Sequence, residues 1–117
     1  MTLTDWKNKG EYFDYKSYRI YNIDEGKGEV LLLIHGFPTA SWDWWQMWNV
    51  LTSRYRVLTL DMIGFGFSDK PKKYSYSIFD QADLFEEFLA SKQITTIKIL
   101  SHDYGDTVAQ ELLARYN

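Results

Sequence analysis

The stretch "LSHDYGDTVAQELLARYN", residues 100–117, sets one carboxylate, Asp103, between an apolar run and an amphipathic one. Before it, "TTIKI" carries β-branched and apolar residues at alternate positions or better and reads as a short buried strand. After it, Val108, Ala109, Leu112 and Leu113 recur at helical spacing, with Gln110, Glu111 and Arg115 on the other side, so "GDTVAQELLARY" reads as an amphipathic helix. "SHDYG" is then the turn from strand to helix. A small residue, a nucleophile two positions on and a glycine two further on make the pattern of a nucleophile elbow, whose central place serine usually takes. Asp103 takes it here. Gly105, without a Cβ, lets the helix start close against the strand, and Ser101 is small for the same reason. The turn pushes Asp103 outward, to a helix N-terminus whose free NH groups and dipole favour an ionised carboxylate. Beside this stands a plainer reading, because Asp just before a helix is a common N-cap.

The elements upstream must position that turn. "EYFDYKSYRIYNIDEGKG" alternates aromatic and polar residues, as two antiparallel strands at a sheet edge do, and ends in a Gly-bearing turn. "VLLLI", residues 30–34, reads as a strand buried on both faces, and "HGFPTAS" as the loop after it. "WDWWQMWNVLTSRY" has Trp44, Met47, Trp48 and Leu51 at helical spacing, with Ser41 as the expected cap. "RVLTLD" returns as a strand, followed by the long loop "MIGFGFSDKPKKYS". "SIFDQADLFEEFLASK" is a second amphipathic helix, its stripe formed by Phe79, Leu84, Phe85, Phe88 and Leu89, and "ITTIKIL" is the last strand.

Strands alternating with helices, the inner strands continuously apolar, predict an α/β fold: a mostly parallel sheet with antiparallel edge strands and flanking helices. Ligands of such sheets bind at the carboxyl ends of the strands. "HGFP", "DMIGFGFSD" and "SHDYG" are all expected there. An isolated N-cap has no need of an HG loop on the neighbouring strand, whereas an elbow nucleophile uses such a loop as half of an oxyanion hole.

With 117 residues the chain suffices for one small domain with a core. At 45% hydrophobic and 18% aromatic residues it is globular in composition. A formal net charge of -3 gives no general affinity for nucleic acid, and "KPKK" at residues 70–73 reads as a solvated loop. The absence of cysteine removes disulfides, thiolate metal sites and a Cys nucleophile. No apolar run reaches the length of a signal peptide or membrane span, so the expected location is cytoplasmic. "IGFGFSD" is no dinucleotide fingerprint, because no GxGxxG opens a helix there. Asp61 and Asp69 flank that loop, and Asp106 reads as a first-turn helix carboxylate. Trp42, Trp44, Trp45 and Trp48 read as packing residues rather than a stacking platform.

From about Tyr12 onward, "HGFPTASWDWWQMW", "LDMIGFGFSDKP", "YSIFDQA" and "LSHDYGDTVAQELLARY" together resemble the α/β-hydrolases, in the branch with an aspartate nucleophile that includes epoxide hydrolases and haloalkane dehalogenases. Within it they most resemble the mesoderm-specific-transcript group of hydrolase-like proteins. The resemblance implies that Asp103 attacks a substrate carbon, with the NH groups of Phe37 and Tyr104 forming the oxyanion hole. His35, Gly36 and Pro38 would shape that loop, with His102 beside it. The implied ligand is a small molecule, an epoxide, alkyl halide or ester-like compound; no cofactor or metal is implied. Haloalkane dehalogenases place Asn after the HG pair and Trp after the nucleophile. Phe37 and Tyr104 stand there instead, which leaves a halide site of that type incomplete.

The same resemblance puts the triad's acid and histidine after the nucleophile. His35 is expected to hydrogen-bond backbone, and His102 to face away from Asp103. Residues 1–117 are therefore expected to be a partial core domain, the N-terminal half of the fold without cap and C-terminal half, and inactive alone. The alternative is a non-catalytic ligand-binding or interaction protein of the same descent. In the family fold "TTIKIL" lies mid-sheet; here it is expected to form a long apolar edge through which the chain self-associates.

Overall fold

In a computed structural model, described for residues 1–115, the chain forms a five-stranded mixed sheet with helices on both faces. The strands are β1 (Glu11–Tyr15), β2 (Tyr18–Glu25), β3 (Val30–Ile34), β4 (Arg56–Leu60) and β5 (Lys98–Ser101), in the order β1-β2-β4-β3-β5. The β1–β2 hairpin is antiparallel and β2 pairs antiparallel with β4, while β3 runs parallel to both β4 and β5. The expected α/β sheet with antiparallel strands at one edge is the observed one. The helices are α1 (Leu3–Lys9), α2 (Trp45–Thr52), α3 (Ile78–Ser91) and α4 (Tyr104–Arg115).

The continuous apolar runs in β3 and β4 follow from burial on both faces. Leu32, Ile34, Leu58 and Leu60 turn toward Leu84, Phe85 and Phe88 of α3 and Val108 and Leu112 of α4. Leu31, Leu33 and Val57 turn the other way, toward Trp6, Trp44 and Trp48. A fully buried Leu or Phe contributes about 2 kcal/mol, so these alternating side chains, rather than helix propensity, hold the layers together. Arg115 adds a tie between α4 and α3, with Asp83 at 2.8 Å and Glu86 at 3.1 Å.

Several local expectations are corrected. Ser41 does not cap the Trp-rich helix: it opens a 3-10 turn, Ser41–Trp44, and α2 starts only at Trp45. Ser41 is instead buried, its NH donating to Asp61 Oδ1 at 2.8 Å and its hydroxyl accepting from Trp6 Nε1 at 3.1 Å. Met47, Phe79 and Leu113 fit the helical stripes by spacing but are exposed, because each lies at the margin of its stripe where the sheet does not reach. Of "ITTIKIL" only the last three residues are strand, within β5 (Lys98–Ser101), which is half-exposed rather than buried. The edge it makes is thus four residues long and includes Lys98, not the long apolar ribbon expected. No element is predicted for residues 3–9, yet α1 forms there, started by a Thr2–Asp5 capping box and anchored by the buried Trp6.

Candidate functional site

At the carboxyl ends of β3, β4 and β5 the three loops meet. The turn after β5 is sharp: Asp103 has φ +55°, in the left-handed region that costs an ordinary residue of order 1 kcal/mol or more. The chain pays that cost to enter α4 directly from β5. Gly105 NH donates to His102 O at 2.9 Å, and Asp106 NH to Asp103 O at 2.8 Å, closing the turn. Ser101 Oγ donates to Asp106 at the first turn of the helix.

The small residues have a measurable reason. A Cβ on Gly105 would lie 2.5 Å from Ile34 O and 2.6 Å from His35 O, so the start of α4 touches the end of β3 backbone to backbone. A Cβ on Gly36 would lie 2.9 Å from the Asp103 Cβ. The HG loop is therefore pressed against the elbow. Gly105→Ala is expected to destabilise the chain by about 2 kcal/mol through overpacking against main-chain atoms that cannot turn aside. A chemical denaturation midpoint unchanged from wild type would contradict that contact.

Asp103 is exposed, and among the described residues its carboxylate accepts no hydrogen bond. The side-chain N-cap that the sequence also allowed is thus not formed. Two backbone donors flank the turn: the NH of Phe37 and that of Tyr104 have no acceptor among the described residues. Tyr104 is the first residue of α4, where an NH has no intrahelical partner. Phe37 follows the HG pair and precedes Pro38 in a cis peptide bond.

His35 is fully buried beneath this loop. Its Nε2 accepts from the Met62 NH at 3.0 Å, which makes Nδ1 the protonated nitrogen, donating to Gly36 O at 2.7 Å. Burial pushes the imidazole's pKa below its ordinary value, so it stays neutral. Both ring nitrogens are engaged, Nε2 tying the loop after β3 to the loop after β4 and Nδ1 holding the backbone of the HG loop itself. His102 is exposed, and its NH donates to Ile34 O at 3.2 Å.

Asp61, which the sequence marks only as a loop neighbour, organises the site's floor. It is buried at the end of β4 and accepts from the NH groups of Ser41 and Phe67, each at 2.8 Å. Gly66 sits so close to it that a Cβ there would fall 2.2 Å from Asp61 Oδ2. Asp69 holds the far end of the same loop on β2, accepting from the Arg19 NH at 2.7 Å.

Together these loops enclose a cleft of about 550 Å³, lined by Phe37, Pro38, Thr39, Gly64, Phe65, Gly66, Lys70, Tyr76, Gln81 and Tyr104. Phe65 stands between Phe37 and Tyr104, with ring centroids 5.8 and 6.3 Å away, so the mouth is aromatic. Burial raises the Tyr104 hydroxyl's pKa above its usual value and keeps it neutral. Gln81, in the floor, does not stand out in the sequence, because a glutamine within a helical stripe carries no signal that sets it apart. Among the described residues no cluster of three or more His, Cys, Asp or Glu could hold a metal ion, and no helix is long and apolar enough to cross a membrane.

Residues 29–117 match the family model described as alpha/beta hydrolase fold. The chain belongs to that family. The mesoderm-specific transcript protein of Mus musculus is 51% identical over 97% of this alpha/beta hydrolase chain and 36% of its own length. Haloalkane dehalogenase 2 of Mycobacterium bovis is 31% identical over 86% of the chain and 35% of its own length. The crystal structure of the epoxide hydrolase VrEH1 from Vigna radiata superposes on 92% of the chain with a TM-score of 0.82 and 25% identity, using 36% of that chain. The chain thus spans about a third of the length of the relatives it matches, the N-terminal part of their fold.

Proposed function

We propose that this chain carries the nucleophile side of a hydrolase site, in which Asp103 forms a covalent ester with a small apolar substrate. The observation that carries this reading is the elbow itself. Asp103 is held at positive φ against Gly36, and among the described residues its carboxylate accepts no hydrogen bond and the NH groups of Phe37 and Tyr104 have no acceptor. The names of the dehalogenase and epoxide hydrolase relatives supply the substrate classes, alkyl halides and epoxides.

A carboxylate oxygen attacks the substrate carbon, and the carbon–halogen or carbon–oxygen bond breaks with its electron pair leaving as halide or alkoxide. The product is an ester of Asp103. Water must then add to the ester carbonyl, and the oxyanion so formed sits on the Asp103 carboxyl, where the Phe37 and Tyr104 NH groups can donate to it. Mass spectrometry after incubation with an epoxide or alkyl halide tests this: the adduct is expected on the peptide containing Asp103, and an adduct confined to another residue overturns the reading. A second reading, a ligand-binding protein without turnover, is favoured by the engagement of both His35 ring nitrogens. It predicts saturable binding in the cleft with no adduct at all.

The reading extends to association. β5 is paired with β3 on one side only among the described residues, its Leu100 is exposed, and so are Phe79 on α3 and Leu113 on α4, Leu113 by 57%. An unpaired strand edge templates pairing with another chain. The isolated 117-residue chain is expected to self-associate through this edge, and light scattering after size exclusion reads the mass. A monomer at all concentrations, with sharp near-UV circular dichroism, would show the edge to be self-sufficient.

A further inference from the structure

Gln81 is 1% exposed, yet it contributes to the floor of the cleft. Its amide orientation is fixed by chemistry: its partner among the described residues is Ile63 O, an acceptor, so the nitrogen must face it, and Nε2 donates there at 3.1 Å. Oε1 is therefore directed elsewhere, and it is buried with no donor among the described residues. A buried acceptor without a partner is costly, and native proteins seldom keep one without a use. Packing alone does not require it: a methionine would fill the same space without the unmet acceptor, at the loss of the bond to Ile63 O. Of the side chains that share the cleft with it, none donates to it among the described residues. Phe65 is apolar, and the Tyr76 hydroxyl is committed to Pro71 O at 2.7 Å.

We infer that Gln81 Oε1 accepts a hydrogen bond from a hydroxyl group on the ligand, so that the cleft selects small aromatic or alicyclic alcohols over equally apolar molecules lacking a donor. The aromatic mouth takes the hydrocarbon body, and the hydroxyl reaches down past Tyr76. That ring, 44% exposed, lies over Gly64, 2.7 Å from where a Cβ there would sit, and admitting the group requires it to swing outward and give up its hydrogen bond to Pro71 O. The recognition is one-sided. A site built to pair a ligand donor rejects the analogue without one, because the protein's own buried group is then left unpaired. This assignment rests on the cleft being the substrate site proposed above, and it adds that the substrate carries a hydroxyl in addition to its reacting carbon.

The test compares benzyl alcohol with benzyl methyl ether, which keeps the oxygen and loses the donor, in chemical-shift titrations of the 117-residue chain. The alcohol is expected to bind about tenfold more tightly, and to move the Gln81 side-chain amide resonance, while the ether does not. Gln81→Met is expected to bring the two affinities together by weakening the alcohol alone. Should that variant fail to fold, the wild-type pair still decides. Equal affinities for alcohol and ether in the wild type, or binding of neither, overturn the inference. The nucleophile is read separately: an alcohol preference that persists in Asp103→Asn, in a chain that forms no adduct, removes the covalent chemistry and leaves the Gln81 assignment standing.

Discussion

Asp103→Asn is expected to abolish uptake of an alkyl group from an epoxide or alkyl halide, lowering the single-turnover rate by at least about 10⁴-fold, as when the reacting group is removed from a catalytic unit. The amide has nearly the carboxylate's shape, so the elbow, with φ +55° at this residue, is preserved; Asn tolerates that conformation as well as Asp does. What disappears is the negative oxygen that attacks. The wild-type chain is expected to stop after one equivalent. Hydrolysing the ester requires a base, and His35 is unsuited to the role, since burial lowers its basicity and both nitrogens are engaged. Intact-mass spectra should show one stable adduct per chain and no further product release. Repeated turnover that vanishes with Asp103→Asn would instead identify a working base within residues 1–117, and His102 would be the first residue to change.

The parts of this molecule that were legible from sequence are those fixed by local periodicity and steric pattern. "VLLLI" reads as a strand because it is buried on both faces, and "SHDYG" reads as a turn because only small residues let β3 and α4 approach to van der Waals contact. What was not legible depends on partners far away in the chain. Ser41 looks like a cap from its neighbours alone, but its partners Trp6 and Asp61 lie 35 and 20 residues away. Phe79 and Leu113 obey the helical period and still face outward, since period sets a direction and not how far the covering layer extends. The role of Asp61 in joining the loops after β3 and β4, and the idle acceptor of Gln81, are likewise properties of three-dimensional proximity.

Asp80 is the most consequential of these unread residues, and its replacement is expected to cause the largest loss of stability. It is 7% exposed at the start of α3, where its Oδ1 accepts from the Tyr15 hydroxyl at 2.6 Å and Lys16 Nζ at 2.8 Å, and its Oδ2 from the Tyr74 hydroxyl. Desolvation works against the charged form, but the hydrogen bonds from Lys16, Tyr15 and Tyr74 outweigh it and hold the carboxyl's pKa below its ordinary value. Asp80→Ala leaves two tyrosine hydroxyls and an ammonium without their shared acceptor, and is expected to cost about 3 kcal/mol, or roughly 10 °C in Tm for a chain of this size.

The pH dependence has a definite sign. A group whose folded pKa is depressed stabilises fully above its unfolded value, about 4, and loses that contribution as pH falls through the lower folded value. Wild-type urea midpoints should therefore hold near neutrality and decline on acidification below about pH 4. Asp24, also depressed, chiefly by its hydrogen bonds from Arg56, contributes to the same decline, so the wild-type curve alone does not isolate Asp80. Asp80→Asn does: its midpoint should start lower and fall less steeply across that range, and parallel curves for the two proteins would rule Asp80 out as the titrating group. The effect reaches the site as well. Tyr74 packs on Tyr76, 5.0 Å between ring centroids, and Tyr76 forms one wall of the cleft, so a chain that has lost the Asp80 carboxylate should bind cleft ligands more weakly even where it remains folded.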